Sequence, residues 1–210
     1  MKPSPVKRPR TGPSVRPLRY LDDPDTLASE RRAFVDAALE LLERSDSLDV
    51  RVSEIVHRCG GHNAAFYRIF GSKEGLLMAA VAEAVERTAR VLRRRVGAAA
   101  SPDDAVARWV EVLMSRAATA RATAATLPFA LDRHRILHAF PESEAVLTAP
   151  LREPLTEVFR SGGVAEAETI ATAAFEMVMS RQATWIAVRH RPSRAEVGTY
   201  IALVRQMAGL

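Results

Sequence analysis

Three groupings in this sequence set chemically capable side chains at a meaningful spacing. His134 and His138 lie four residues apart, with Asp132 nearby; on a helix that spacing puts two imidazoles on one face, where they can chelate a metal. Asp103 and Asp104 are adjacent carboxylates. Gly60-Gly61 separates two short, apolar-patterned segments, the second of which opens His62-Asn63-Ala64-Ala65. The histidine pair encloses no glutamate general base and spacing fixes no third ligand, so the pair reads as surface histidines near a helix end, and no metal or cofactor is expected. The two aspartates follow Ser101-Pro102 and read as first-turn acids facing a helix dipole rather than as an acid–base dyad. No phosphate loop, dinucleotide fingerprint, nucleophile elbow or metalloprotease helix is present, so the chain is not expected to be an enzyme. What remains is the grouping at the glycine pair. Two short helices joined by a tight turn, with a third bracing them, form a helix-turn-helix layout, in which the second helix offers its N-terminal side chains to base edges in a major groove.

The elements that must hold that grouping are helical. The chain has 210 residues, 36 of them alanine against 10 glycines, and alternating β-branched runs are missing apart from Val50 to Val52. Asp23-Pro24 starts a helix in which Phe34, Ala38, Leu41 and Leu42 form an apolar stripe running to about Ser45. A short helix with Val52, Ile55, Val56 and Cys59 facing inward ends at Gly60-Gly61. Another carries Ala65, Phe66 and Ile69. Gly71-Ser72 then precedes a long helix from about Lys73 to Arg95. Ser101-Pro102 opens the next, with Trp109, Val112 and Leu113 inside it. Pro128, Pro141, Pro150 and Pro154 are expected to divide the middle into short, irregular helices. Two final helices follow Ser161-Gly162-Gly163, from about Glu166 to Arg189 and from Ser193 to Met207. The expected fold is all-α: a basic Pro-rich arm at 1–22, a three-helix helix-turn-helix domain at 23–75 and a larger α-helical domain at 76–210.

The stretch Asp36 to Leu77, DAALELLERSDSLDVRVSEIVHRCGGHNAAFYRIFGSKEGLL, resembles the DNA-binding domain of the tetracycline-repressor (TetR) family. The matching elements are Ala38-Leu39-Glu40-Leu41-Leu42, then Val52, Ile55 and Gly60, then Phe66-Tyr67-Arg68-Ile69-Phe70, and Ser72-Lys73-Glu74 before Leu76-Leu77. The resemblance implies that His62, Asn63, Ala64 and Ala65 face the groove. Asn63 is the expected base reader, since its amide can bond an adenine edge in bidentate fashion, and the alanine methyls suit a thymine methyl. Tyr67, Arg68 and Lys73 are implied as backbone contacts, with Arg51 and Ser53 where the second helix's N-terminus meets phosphate. Five positions depart from the family's pattern: Asp46 and Arg51 replace a usual glycine and threonine, Gly61-His62 a common Val-Ser, and Ala64 a glycine. Losing the valine is expected to remove a core contact under the turn, and the set as a whole reads as an altered sequence preference.

Charge adds a second strand. The net charge is +5, yet residues 1–20 hold six cations and no acid, so the remainder is close to neutral. With five prolines and almost nothing apolar, the arm is expected to be extended, with Arg8 and Arg10 available to a minor groove or flanking phosphates. A functionless solvated extension is the alternative reading of that arm. No apolar stretch long enough for a secretory signal follows it, and the longest apolar run, Leu76 to Val85, is stopped by Glu83, so no membrane role is expected. A single cysteine, Cys59, excludes an internal disulfide and fits a cytoplasmic protein.

One helix-turn-helix reads few base pairs, so a homodimer on palindromic double-stranded DNA is expected. The last two helices are its candidate interface, through Ile170, Ala173, Ala174, Met177, Arg181 and Trp185 on one and Val197, Tyr200, Ile201, Val204 and Met207 on the other. Apolar residues between proline breaks suggest a pocket for a small apolar or amphipathic effector, lined by Trp109, Leu113, Phe129, Leu137, Phe140, Phe159, Phe175 and Met179. The function so read is a ligand-responsive repressor. A non-specific architectural nucleic-acid binder and, further off, a small metal-dependent helical enzyme are the alternatives.

Overall fold

The computed structural model describes residues 24–44, 49–119 and 143–210, with Thr123, Thr126 and His138 placed singly; at 143–146 only the backbone is described. Among these residues the fold is all-α: α1 (Pro24–Leu42), α2 (Val52–Cys59), α3 (Asn63–Phe70), α4 (Lys73–Gly97), α5 (Pro102–Ala118), α6 (Ser143–Ser161), α7 (Ala167–Ala187) and α8 (Arg194–Ala208). The proline-rich arm, including Arg8 and Arg10, lies outside the described residues, as do Asp46, Phe129, Asp132, His134, Leu137 and Phe140.

Two hydrophobic clusters organise the chain. The smaller joins Phe34, Ala38 and Leu42 of α1, Ile55 of α2, Phe66 of α3 and Leu76, Leu77 and Ala80 of α4. The larger runs from Ala89, Leu92 and Val96 of the same α4 through α5 and α6 to Val204 of α8. The first half of α4 thus belongs to the three-helix head and the second half to the larger bundle. At 25 residues it spans roughly 37 Å, enough to serve both.

Local signals explain most boundaries. Ser72 caps α4, its hydroxyl accepting from the Gly75 N–H at 3.0 Å. Ser101 caps α5 in the same way through Asp104 at 3.2 Å, with Pro102 in the first turn. The proline reading fails in one place. Pro150 and Pro154 lie inside a single continuous α6 rather than dividing it. Each removes one ladder N–H, but Leu151, Leu155 and Phe159 on the same helix are buried in the larger cluster, and Trp109 donates its indole N–H to the Leu151 carbonyl at 2.9 Å. Tertiary packing outweighs the local penalty.

At the far end, Ser193 and Glu196 form a capping box: the Glu196 N–H donates to the Ser193 hydroxyl, while the Glu196 carboxylate accepts from the Ser193 N–H at 2.8 Å and from its hydroxyl at 2.9 Å. His190 Nε2 lies 2.9 Å from the other carboxylate oxygen. The Ser193 backbone N–H, its hydroxyl and His190, in that order, hold the Glu196 carboxyl below the usual carboxylate range. A depressed pKa in the folded state stabilises above the unfolded carboxylate value and is lost as pH falls through the folded one. The unfolding midpoint of the native protein should therefore fall more steeply on the acid side than that of Glu196→Gln. Ser193→Ala should cost about 1 kcal/mol at neutral pH, read from denaturant unfolding.

Candidate nucleic-acid interface

Helix α3 is short and cannot hold its own position; three neighbours fix it. Beneath it, Phe34 of α1 meets Phe66 edge-on at 5.7 Å and Phe70 edge-on at 5.9 Å. At its start, the Gly60 N–H closes α2 on the His57 carbonyl and the Gly61 N–H on that of Val56. At its end, α4 begins so near that a Cβ on Gly75 would overlap the Phe70 carbonyl oxygen. Glycine at 75 lets the two helices abut.

Gly61 is the second close approach. A Cβ there would stand 2.8 Å from Phe34 Cζ and 3.2 Å from Cys59 Sγ. The contact expected to be lost with the family's valine is therefore supplied from the opposite side, by the Phe34 ring. Phe34 is 2% exposed and wedged between two other rings, so it has nowhere to swing.

The predicted DNA residues within the described part of the chain lie on α2, α3 and the start of α4. His62 is the α3 N-cap, without a side-chain cap bond, and Asn63 and Ala64 follow it; all three are exposed. Ala65 is half-buried against the smaller cluster, so it packs inward more than its neighbours. Tyr67 is 54% exposed, its ring edge-on to Phe66 at 5.1 Å. Arg51 is the N-cap of α2, again without a side-chain cap bond, and it and Ser53 are exposed. The two remaining cations are engaged: Arg68 donates to Glu30 Oε2 at 2.8 Å, and Lys73 Nζ lies 3.6 Å from Asp49 Oδ1. A third pair, Arg58 with Glu40 at 2.6 Å, flanks them.

Sequence reasoning missed Phe34 as the post under the turn, Gly75 as the spacer between α3 and α4, and Glu30 as the partner of Arg68. Apolar periodicity placed Phe34 on an inward stripe, but nothing in the spacing named Gly61 as its neighbour. Glu30 and Arg68 are 38 residues apart, beyond the reach of any local pattern.

The predicted effector residues divide. Trp109, Leu113, Phe159 and Phe175 are all buried in the larger cluster, and Met179 packs half-buried against it. Trp109 and Phe159 have no exposed surface, so in this conformation no ligand-sized space touches them. One concave region among the described residues is polar, lined by Arg152, Glu153, Thr156, Glu157, Arg160 and Glu168. His138 is exposed. No helix among the described residues is long and apolar enough to cross a membrane.

Comparison with known proteins places this geometry. Residues 34–80 match the sequence model of the bacterial regulatory proteins of the tetR family. The HTH-type transcriptional regulator BetI of Brucella canis is 32% identical over 95 residues, covering 45% of this chain and 48% of that protein. BetI of Brucella anthropi is 28% identical over 143 residues, covering 65% and 74%. The chain thus spans about half the length of the first of these curated relatives. Two solved structures share the fold: the fatty acid degradation regulator FadR from Bacillus halodurans, with a TM-score of 0.62, 16% identity and coverage of 86% and 93%, and the TetR-family transcriptional repressor QsdR of R. erythropolis, with 0.57, 21%, 87% and 96%.

The wedge makes a direct prediction. Gly61→Val should destabilise the protein by about 1–3 kcal/mol through overpacking against Phe34, and Phe34→Leu in the same chain should recover part of that loss. Simple additivity of the two changes in chemical unfolding would contradict the contact.

Proposed function

Because the chain belongs to the tetR family of bacterial regulatory proteins, we propose that it is a sequence-specific DNA-binding transcriptional regulator, a homodimeric repressor acting on a palindromic operator in the cytoplasm. One observation carries this reading: the first turn of α3 projects His62, Asn63 and Ala64 to solvent from a helix pinned at both ends. A side-chain amide held in a fixed position on an exposed helix start suits bidentate pairing with an adenine edge. Tyr67, Arg51 and Ser53, all exposed, suit phosphate contacts, and Arg68 and Lys73 supply charge once their acidic partners are exchanged for phosphate.

Dimerisation through α7 and α8 is supported by how their stripes divide. Ala174, Trp185 and Val204 are buried within the subunit, and Tyr200 lies edge-on to Trp185 at 5.7 Å. Ile170, Ala173, Met177, Val197, Ile201 and Met207 keep exposed surface on the same two helices, the apolar material a four-helix interface needs. An effector acts in this reading by population shift, favouring a conformation whose two reading heads no longer match the half-site spacing. Since Trp109, Leu113 and Phe159 are closed off here, that effector binds by opening the bundle next to them.

Two measurements test the proposal. Selection of bound duplexes from a random pool should return an inverted repeat, and Asn63→Ala should cost about 1–3 kcal/mol of discrimination at one base pair of each half-site while leaving non-specific binding intact. Equal binding to scrambled duplexes would instead favour an architectural protein. Deleting residues 2–19 should flatten the dependence of log K on log salt by several units, as Arg8, Arg10 and the other four cations leave.

A further inference from the structure

Helix α1 turns one face to α3 and uses it twice. Phe34 packs beneath the helix, edge-on to Phe66 and Phe70. One turn earlier on the same face, Glu30 meets the Arg68 guanidinium, its Oε2 accepting from Nη2 at 2.8 Å. Both side chains are partly enclosed, with 34% of Glu30 and 36% of Arg68 exposed. The pair at the start of α4 is looser: Lys73 Nζ stands 3.6 Å from Asp49 Oδ1, and the Asp49 side chain is 74% exposed. A carboxylate and a phosphate ask the same of a guanidinium, planar N–H donors and a positive charge. Glu30 is thus a chemical stand-in for a backbone phosphate, built in beside the helix that opens with Asn63.

We infer that Glu30 sets the affinity of the head for DNA as an intramolecular competitor: its carboxylate holds the Arg68 donor that a DNA phosphate would take, and binding exchanges one anion for the other. The inference rests on the DNA-binding reading above and adds to it a residue of α1 that throttles the contact. Helical geometry favours exchange over a three-way contact. Tyr67 lies about 40° around α3 from Asn63, whereas Arg68 lies about 140° away, on the side that meets α1. To reach a phosphate bordering the groove that Asn63 enters, the Arg68 side chain must leave Glu30. Exchange then breaks the ion pair and leaves the Glu30 carboxylate facing a phosphate, and both effects oppose binding. The pair is partly exposed and so is weak, which makes the effect several-fold rather than many orders of magnitude. Phosphates carry no base sequence, so the competitor weakens every duplex alike and leaves discrimination to the first turn of α3.

The test measures the affinity of the full chain for a selected inverted repeat and for a scrambled duplex by fluorescence anisotropy, at low and high salt. Glu30→Gln should tighten binding to both duplexes by about threefold. In an Arg68→Gln background the same substitution should gain at most half as much, because only the carboxylate–phosphate repulsion is left to remove, and the difference between backgrounds should shrink as salt rises. Equal gains with and without Arg68 reduce Glu30 to one more negative charge and overturn the inference. Looser binding by Glu30→Gln overturns it too, since the carboxylate would then brace the guanidinium against phosphate. Glu30→Asp, which keeps the charge but falls one methylene short of Arg68, guards against an effect of the amide on folding: an affinity between native and Glu30→Gln supports the competitor, and an unchanged one removes it. Asn63→Ala is measured in parallel. If it abolishes the preference for the selected duplex while Glu30 and Arg68 act independently, the regulator reading stands and the competitor is lost. If the native protein treats the two duplexes alike but the Glu30–Arg68 coupling persists, the competitor stands and the sequence-specific reading falls. A native protein that binds neither duplex removes both.

Discussion

The Phe34 ring is the post on which the α2–α3 end of the molecule stands. It comes from α1, reaches under the α2–α3 turn, meets Phe66 and Phe70 edge-on, and fills the space a side chain at residue 61 would take. Edge-to-face aromatic contacts are directional, so the ring fixes the tilt of α3 as well as its depth. A helix of eight residues has little stability of its own. Its placement is therefore a property of the small aromatic core, and the exposed Asn63 inherits its position from a buried phenylalanine 29 residues earlier in the chain.

Through α4 that core is continuous with the rest of the protein. Leu76, Leu77 and Ala80 on its first turns belong to the head, and Ala89, Leu92 and Val96 to the bundle. A rigid helix shared by two cores converts any repacking of the second into a rotation or shift of the first, because close-packed interiors move between discrete arrangements rather than deforming smoothly. The surface pairs along it, Arg87 with Glu83 and Arg93 with Glu86, are solvent-exposed and add little to stability. The apolar contacts carry the connection.

The helices and their order were legible in the sequence because their signals are local. Ser72, Ser101 and Ser193 sit where caps belong, Pro102 opens α5, and the 3.6-residue stripes of α1 and α4 are plain. The exposed first turn of α3 was legible from its motif. What could not be read is equally instructive. Local rules stop α6 at Pro150, but the burial of Leu151, Leu155 and Phe159, spread over about two turns, overrides them. Gly61 read alone looks like a lost contact; only the three-dimensional meeting with Phe34 shows why glycine is the residue that fits. Trp109 and Phe159 read alone look like pocket walls, since periodicity marks a residue as inward without saying whether it meets a neighbour or a space.

Electrostatics at the reading head leads to a different division of labour from the one charge counting suggests. Arg68, Lys73 and Arg58 each sit against an acid, Glu30, Asp49 and Glu40, so the described head presents a nearly balanced surface rather than a basic one. Exposed pairs of this kind exchange readily, because each is worth a fraction of a kcal/mol in water, and a phosphate can displace the carboxylate at small cost. Under the proposed function, such a head gains little long-range attraction to DNA but gains charge-assisted contacts once α3 is seated in a groove. In the proposed function, sequence-independent attraction to DNA falls to the separate cluster of six cations in residues 1–20, while discrimination is assigned to a few uncharged groups on α3. On that proposal, keeping the two tasks on different parts of the chain lets specificity be set by Asn63 and its neighbours without a strong non-specific background from the head itself.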